Sequence, residues 1–289
     1  MLSKLVKKHH LLIYTGFFII TLIPLIFSEI KTIKDLNVNS ELFRIELTQF
    51  KNVNDLMAHI DGIYTVNHPV DKIDTSAYVN ICSDVVKKRF YHGLAEYSIF
   101  DNWIAWLSGK LIWSHFLAIV EPDDILKHSA ALCSQQSIVF MDLLNRKGIK
   151  NRNVGISSKE GNGHFLTEVY YKSSWHLFDV NKEPNWDSVL LAHQSMEFYL
   201  KNKDSLYKIY DGKLTPIQIN YLTETIYYGQ SNEFPAKNML IFHRLTKLLT
   251  CLLPNFFLIM ILISLFKQKK TSKFLRKFLK DLKLKRVNF

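Results

Sequence analysis

"ALCSQQSIVFMDLLNRKGI", residues 131–149, reads as a short cysteine-bearing turn that runs straight into an amphipathic helix and stops at a glycine. Ile138, Val139, Met141, Leu143 and Leu144 recur at threes and fours and mark one buried helical face, while Gly148 suits the left-handed conformation of a helix end. Cys133 precedes that run and falls at the helix N-terminus, where unpaired backbone N–H groups favour an anion. A thiolate is stabilised there. Free cysteine is more often a small buried hydrophobe, so Cys133 gains meaning only if the rest of the chain delivers a base to it.

After Gly148 the texture changes to strands. "NRNVGISS" (151–158) is a short one, and "HFLTEVYY" (164–171) and "WHLFDV" (175–180) flank "KSS", rich in aromatic and β-branched residues. His164 opens the first arm of this hairpin and Asp179 sits near the end of the second. A turn through Lys172 and Ser173 places Asp179 opposite Leu166, with His164 two places along on the same face, a diagonal neighbour within reach. A shift of one residue in the turn would send the two to opposite faces. Taken singly, His164 reads as a loop-edge histidine and Asp179 as a strand-end residue. Together with a helix-start thiol they make the parts of a thiol nucleophile: His164 takes the proton of Cys133, and Asp179 holds the ring and stabilises its cation.

The stretch from Glu121 to Val180, "EPDDILKHSAALCSQQSIVFMDLLNRKGIKNRNVGISS" followed by "GHFLTEVYYKSSWHLFDV", resembles the core of the transglutaminase-like superfamily, with Glu168, Tyr170 and Trp175 at matching places. The resemblance implies an α+β, papain-like fold with Cys133 as nucleophile, His164 as general base and Asp179 as its partner. The sequence departs from the pattern at Leu132, before the nucleophile, at Phe165 and Leu166 after the histidine, and at Val180 after the aspartate. An oxyanion site would use the backbone N–H of Cys133 and an upstream side chain, for which Trp103, Trp106, Trp113 and His115 are equal candidates beside their ordinary role in helix packing. Gln135 and Gln136, one turn into the helix, at most line the cleft.

The 289-residue chain is 48% apolar, enough for a core, but the apolar residues are uneven. Residues 11–28 and 248–266 are uncharged and each about the length that crosses a bilayer as a helix, so two transmembrane helices are expected. A cleaved leader is the competing reading for the first, behind Lys4, Lys7 and Lys8, but "IPLIFSEI" lacks small residues for cleavage, which favours a retained anchor. Ten Lys or Arg against one Asp in residues 267–286, with the three leading lysines, account for the formal charge of +11. What lies between is near neutral, which argues against a nucleic-acid partner. The basic excess after the second span places the tail in the cytoplasm and residues 29–247 outside it. Phe274, Leu275, Phe278, Leu279 and Leu282 recur at helical spacing, as in a helix lying on an anionic inner leaflet; a solvated flank reads equally well.

The expected organisation is therefore 1–28, a cytoplasmic end and span; 29–118, mainly helical; 119–247, the transglutaminase-like core and its extension; 248–266, the second span; and 267–289, the basic tail. No metal-ligand spacing and no cofactor motif occurs. Cys82 and Cys133 could instead form a structural disulfide in an oxidising compartment. The function this points to is a cell-membrane-anchored thiol enzyme with an extracytoplasmic domain, the membrane being the inner one if the cell is Gram-negative. It would act on a peptide, protein or other amide of the envelope through a Cys133 thioester passed to water or an amine. The alternative is a non-catalytic envelope binding or scaffold module that keeps the fold, for example in surface-polymer assembly.

Overall fold

A computed structural model describes residues 2–26, 42–67, 73–160, 163–182 and 193–285. Along the chain run α1 (Leu2–Ile26), α2 (Val53–Asn67), α3 (Thr75–Arg89), β1 (Tyr91–His92), α4 (Ile99–Leu111), α5 (Pro122–Ile125), β2 (Ala130–Ala131), α6 (Cys133–Arg146), β3 (Asn151–Ser157), β4 (Gly163–Tyr171), β5 (Ser174–Phe178), α7 (Met196–Lys201), α8 (Lys203–Ile209), α9 (Pro216–Tyr221), β6 (Thr225–Tyr228) and α10 (Lys237–Lys285). The elements divide into two units. One holds Lys34–Glu96 and Ala118–Ile241; the other holds Met1–Ile33, Tyr97–Leu117 and Phe242–Phe289.

The first unit is α+β, built on an antiparallel sheet of order β5-β4-β3-β6. The β4–β5 hairpin closes through Lys172 and Ser173, both at positive φ (47° and 63°), so the turn follows the right-handed twist of its arms. That closure pairs Thr167 with Phe178 and Tyr171 with Ser174, the register on which a meeting of His164 and Asp179 depends. One face of the sheet, through Val154, Ile156, Leu166 and Leu177, packs on Met196, Tyr199, Leu206, Ile209 and Tyr210 from α7, α8 and the residue after it. On the other side α6 approaches β4 and β5: Phe140 meets Phe178, and the Ser137 hydroxyl donates to the Phe165 carbonyl at 3.2 Å. Gly155 is required by close approach, because a Cβ there would stand 2.1 Å from the ring of Tyr227 on β6.

Glu168 is fully buried and ties layers together. Its Oε2 accepts from Arg152 at 2.7–2.8 Å, and its Oε1 accepts the Met196 N–H at 2.7 Å at the start of α7. The Arg152 guanidinium in turn lies 4.2 Å from the Trp175 ring centre and 4.4 Å from that of Tyr228. A buried carboxylate needs this degree of pairing.

The second unit corrects two expectations. Of the two spans read from the sequence, one is found among the described residues: Lys237–Lys267 in α10 is long and apolar enough to cross a bilayer, and 11% of its apolar 18-residue window is buried, unlike a core helix of a globular domain. The apolar run of α1, His9–Pro24, is shorter. Residues 27 and 28 of the uncharged run lie outside the described residues, and Pro24 stands inside α1. Phe17 of α1 stacks on Phe257 of α10 at 5.2 Å. Residues 97–117, read above as part of a helical region 29–118, group with these apolar helices instead. The backbone of α10 continues to Lys285, while the side chains of the amphipathic tail lie outside the described residues.

Replacing Lys172 and Ser173 by Asn-Gly removes the cost of holding two L-residues with side chains at positive φ. The exchange is expected to raise stability by about 1–2 kcal/mol without moving the register, read as a higher urea midpoint of the full chain in detergent.

Candidate functional site

Cys133 is the first residue of α6, and the helix begins there on an apolar N-cap, Leu132, which has no side-chain acceptor to offer. Gln135 does the work from inside. Its Oε1 accepts the N–H of Leu132 (3.1 Å) and of Ala95 (3.0 Å), and its Nε2 donates to the carbonyls of Ala95 (2.6 Å) and Ile119 (2.8 Å). Gln136 donates to the Ala131 carbonyl at 2.9 Å. Both glutamines are buried, so the expectation that they line the cleft is corrected: they fix the geometry of the turn before the thiol.

The three residues singled out in the sequence are brought together. His164 Nε2–H donates to Asp179 Oδ2 at 2.7 Å, and the Cys133 thiol is hydrogen-bonded to the same imidazole, leaving Nδ1 as the nitrogen toward sulfur. The Phe165 backbone N–H also donates to the sulfur. Asp179 lies one residue past β5, with its side chain fully buried and four donors satisfied. Oδ2 also accepts from the Tyr210 hydroxyl (2.8 Å), and Oδ1 accepts the N–H groups of Asn181 (3.0 Å) and Lys182 (2.9 Å).

Electrostatics follow from these contacts. Burial pushes the Cys133 thiol up, but the bond to His164, its charge and the Phe165 amide outweigh it, and the thiol titrates below its ordinary value. Burial pulls His164 down, yet the charge of Asp179 and hydrogen bonds to Asp179 and Cys133 carry it up to about 10. Burial likewise opposes ionisation of Asp179, while His164, the Lys182 amide and Tyr210 bring it below the usual carboxylate range. The arrangement favours a thiolate beside an imidazolium.

His164 opens onto a cleft of about 270 Å³, bounded by Lys182, Gln218 and Tyr221 with apolar Ile156 and Leu214. His92 stands near the pair: β1 runs parallel to β2, with His92 beside Ala131, and its Nδ1 lies 3.1 Å from the Asn181 amide nitrogen. Burial and then Lys182 lower its pKa, so it is held neutral. The oxyanion candidates Trp103, Trp106, Trp113 and His115 all belong to the other unit. The disulfide alternative is also corrected. Cys82 and Cys133 are both free; Cys82 is completely buried in α3, and burial, then the charge of Asp61, raises its pKa. Among the described residues no cluster of three His, Cys, Asp or Glu could hold a metal ion.

Sequence reasoning missed Tyr210, which lies 31 residues from Asp179 with no motif to connect them. The Asn181 and Lys182 amides carried a local signal, since an Asp commonly bonds backbone N–H groups two and three residues on.

No protein-family model matches the chain, and no curated protein matches it. Among solved structures, one described as a "TGase" is 17% identical over 51% of this chain and 34% of its own, with a TM-score of 0.30. Another, described as "a Putative Cysteine Protease from Cytophaga hutchinsonii", is 12% identical over 54% of this chain and 47% of its own, with a TM-score of 0.29. The chain thus spans about a third of one and just under half of the other, and likeness at this level says nothing of substrate or activity.

Iodoacetamide at pH 7 is expected to alkylate Cys133 far faster than Cys82, measured by peptide mass mapping over time; equal rates would contradict the electrostatics above. The raised His164 makes its pairing with Asp179 a stabilising term that is complete below about 6.5 and lost as pH rises through about 10. The depressed Asp179 loses its contribution on the other side, as pH falls through its lowered value. The urea midpoint of the wild type should therefore fall between pH 6.5 and 10 more steeply than that of Asp179→Asn. Tyr210→Phe leaves Asp179 one donor short in a buried site and is expected to cost roughly 1–2 kcal/mol in the same measurement.

Proposed function

We propose that the protein is a membrane-anchored thiol enzyme of transglutaminase-like type that transfers an acyl group from an amide or ester to water or an amine. The observation that carries this reading is the unbroken chain of hydrogen bonds from the Cys133 thiol through His164, which lines an open cleft, to the buried Asp179. A nucleophile, a base in contact with it and a third group orienting the base are the requirements of covalent acyl transfer.

In this mechanism the Cys133 thiolate attacks the substrate carbonyl, and the S–C bond forms as the C=O electrons move to oxygen. Collapse of the tetrahedral species breaks the C–N or C–O bond, and protonated His164 gives its proton to the leaving group. Water or an amine then attacks the thioester, transfers its proton to His164, and displaces Cys133. Asp179 remains ionised throughout and keeps the Nε2–H tautomer, so that Nδ1 is the nitrogen that exchanges the proton. The backbone N–H of Cys133, at the start of α6, faces the developing oxyanion.

Anchoring rests on the apolar stretch of α10, and its orientation on the basic tail that follows, which favours the cytoplasmic side. With α10 as the span, the sheet unit lies across the membrane from the tail, where the substrate is a peptide, protein or other amide of the cell envelope.

The test is turnover by the full chain in membranes, given peptides with carboxamide side chains and a biotin-tagged primary amine, read as amine incorporation and as ammonia release. Cys133→Ala should abolish both, and His164→Ala should lower the rate about 10²–10⁴-fold. Equal turnover in wild type and Cys133→Ala overturns the enzymatic reading. A wild type that alkylates rapidly at Cys133 yet turns over none of the panel supports the scaffold reading.

A further inference from the structure

Residues 97–117 leave the sheet unit after Glu96 and return to it at Ala118. Their ends close on each other: Tyr97 N–H donates to the Leu117 carbonyl at 2.9 Å, and Ile119 N–H donates to the Ala95 carbonyl at 3.1 Å. Between these stems lies α4, opened by a capping box in which Ser98 and Asp101 satisfy each other, then a fold back onto Gly109, where a Cβ would stand 2.3 Å from Leu117. The excursion is thus a closed helical hairpin and not a loose loop.

Its surface is unlike that of a water-facing hairpin. Leu111, Ile112 and Trp113 at its tip are 74%, 77% and 52% exposed, and Ile99 and Leu107 are exposed along the helix. Three of the chain's five tryptophans fall in these residues, beside two side chains of full charge, Asp101 and Lys110. Such a patch requires a cover.

What covers it follows from where the hairpin is held. Asn102 is buried and donates to Thr246 Oγ1 at 2.8 Å and to the His243 carbonyl at 3.4 Å, while its own Oδ1 accepts the Ala105 N–H. His243 Nε2–H donates to the Phe116 carbonyl at 3.1 Å, and Phe116 packs on Phe242 at 4.4 Å. All of these partners lie on α10 within a few residues of Leu248, where its uncharged run begins, and beside Arg244 and Lys247. That is the level at which a spanning helix passes from headgroups to hydrocarbon, the depth favoured by Trp and by short amphipathic helices. The Asn102 amide and the Phe116 carbonyl, which face α10, are hydrogen-bonded to it, as a low-dielectric setting demands.

We infer that residues 97–117 form an interfacial hairpin whose apolar tip, Leu111 to Trp113, is covered by the lipid at the same membrane face as the N-terminal end of the α10 span. This rests on the reading of α10 as membrane-spanning. It also gives Gln135 a second meaning. The amide that orders the turn before Cys133 grips Ala95 and Ile119, the two residues flanking the hairpin's exit and return.

The experiment uses the full chain with Cys133→Ser and Cys251→Ser, the buried Cys82 left in place, reconstituted into phosphatidylcholine vesicles. An environment-sensitive fluorophore is attached at Ile112→Cys, at Ile259→Cys in α10 as the membrane reference, and at Glu197→Cys on the sheet unit as the aqueous reference. Spin-labelled lipid should quench the probe at 112 several-fold more than at 197, and aqueous iodide should quench it several-fold less. Leu107→Cys provides an independent position if the variant at 112 does not accumulate. A probe at 112 that behaves like the one at 197 while 259 is quenched by lipid overturns the hairpin and leaves the span standing. A probe shielded from iodide yet not reached by lipid spin labels also overturns it, in favour of a protein cover. Failure of lipid to quench at 259 overturns the span and the hairpin with it.

Discussion

A carboxylate withdrawn completely from water has to be compensated by directed donors, and Asp179 is the point at which this constraint organises the sheet unit. Its four donors come from β4 (His164), from the turn after β5 (Asn181 and Lys182) and from the end of α8 (Tyr210). Each contact is short, and together they leave no lone-pair direction of the carboxylate without a partner. The hairpin register, the turn that follows it and the helical layer over the sheet must all be in place before that charge is tolerable. The same carboxylate then holds the His164 imidazole protonated to high pH and keeps its other nitrogen for the thiol.

The thiol is set by a different device. An apolar residue stands where a helix ordinarily carries a capping side chain, and Gln135, at the third helical position, reaches back to accept the N–H of that residue, the one half of a capping box that remains. Because the same side chain reaches Ala95 and Ile119, the cap doubles as a clasp on two segments distant in sequence. Glu168 plays a comparable part on the far side of the sheet, where Arg152 and the first N–H of α7 share its charge. Buried polar groups in this unit thus act chiefly as joints between elements, and the cysteine, histidine and aspartate meet where those joints converge.

The apolar unit shows how a length criterion and a packing criterion diverge. Counting uncharged residues treats the segments at either end of the chain as equivalent, but among the described residues the apolar stretch of α1 is His9–Pro24, while that of α10 runs Lys237–Lys267 within one continuous helix. Composition also assigned residues 97–117 to the helical region before the core. Their actual partners are Thr246, His243 and Phe242, contacts that depend on the pairing of segments more than 120 residues apart and leave no periodic trace.

The sequence alone was sufficient for whatever depends on local periodicity and turn chemistry. The helix that opens at Cys133 and stops before Gly148 and the strands read at 151–158 and 164–171 follow from patterns a few residues wide, while the register that lets His164 and Asp179 share a face was left between two closures of the turn until the structure fixed it. Tertiary structure alone decided which long-range groups complete the site. Tyr210, His92 and the role of Gln135 were invisible because a hydrogen bond between distant segments depends on where whole layers pack, and side-chain type at one position does not encode the position of its partner. Sequence could name the sulfur, the imidazole and the carboxylate; only the packed layers could bury the charge that makes them interact.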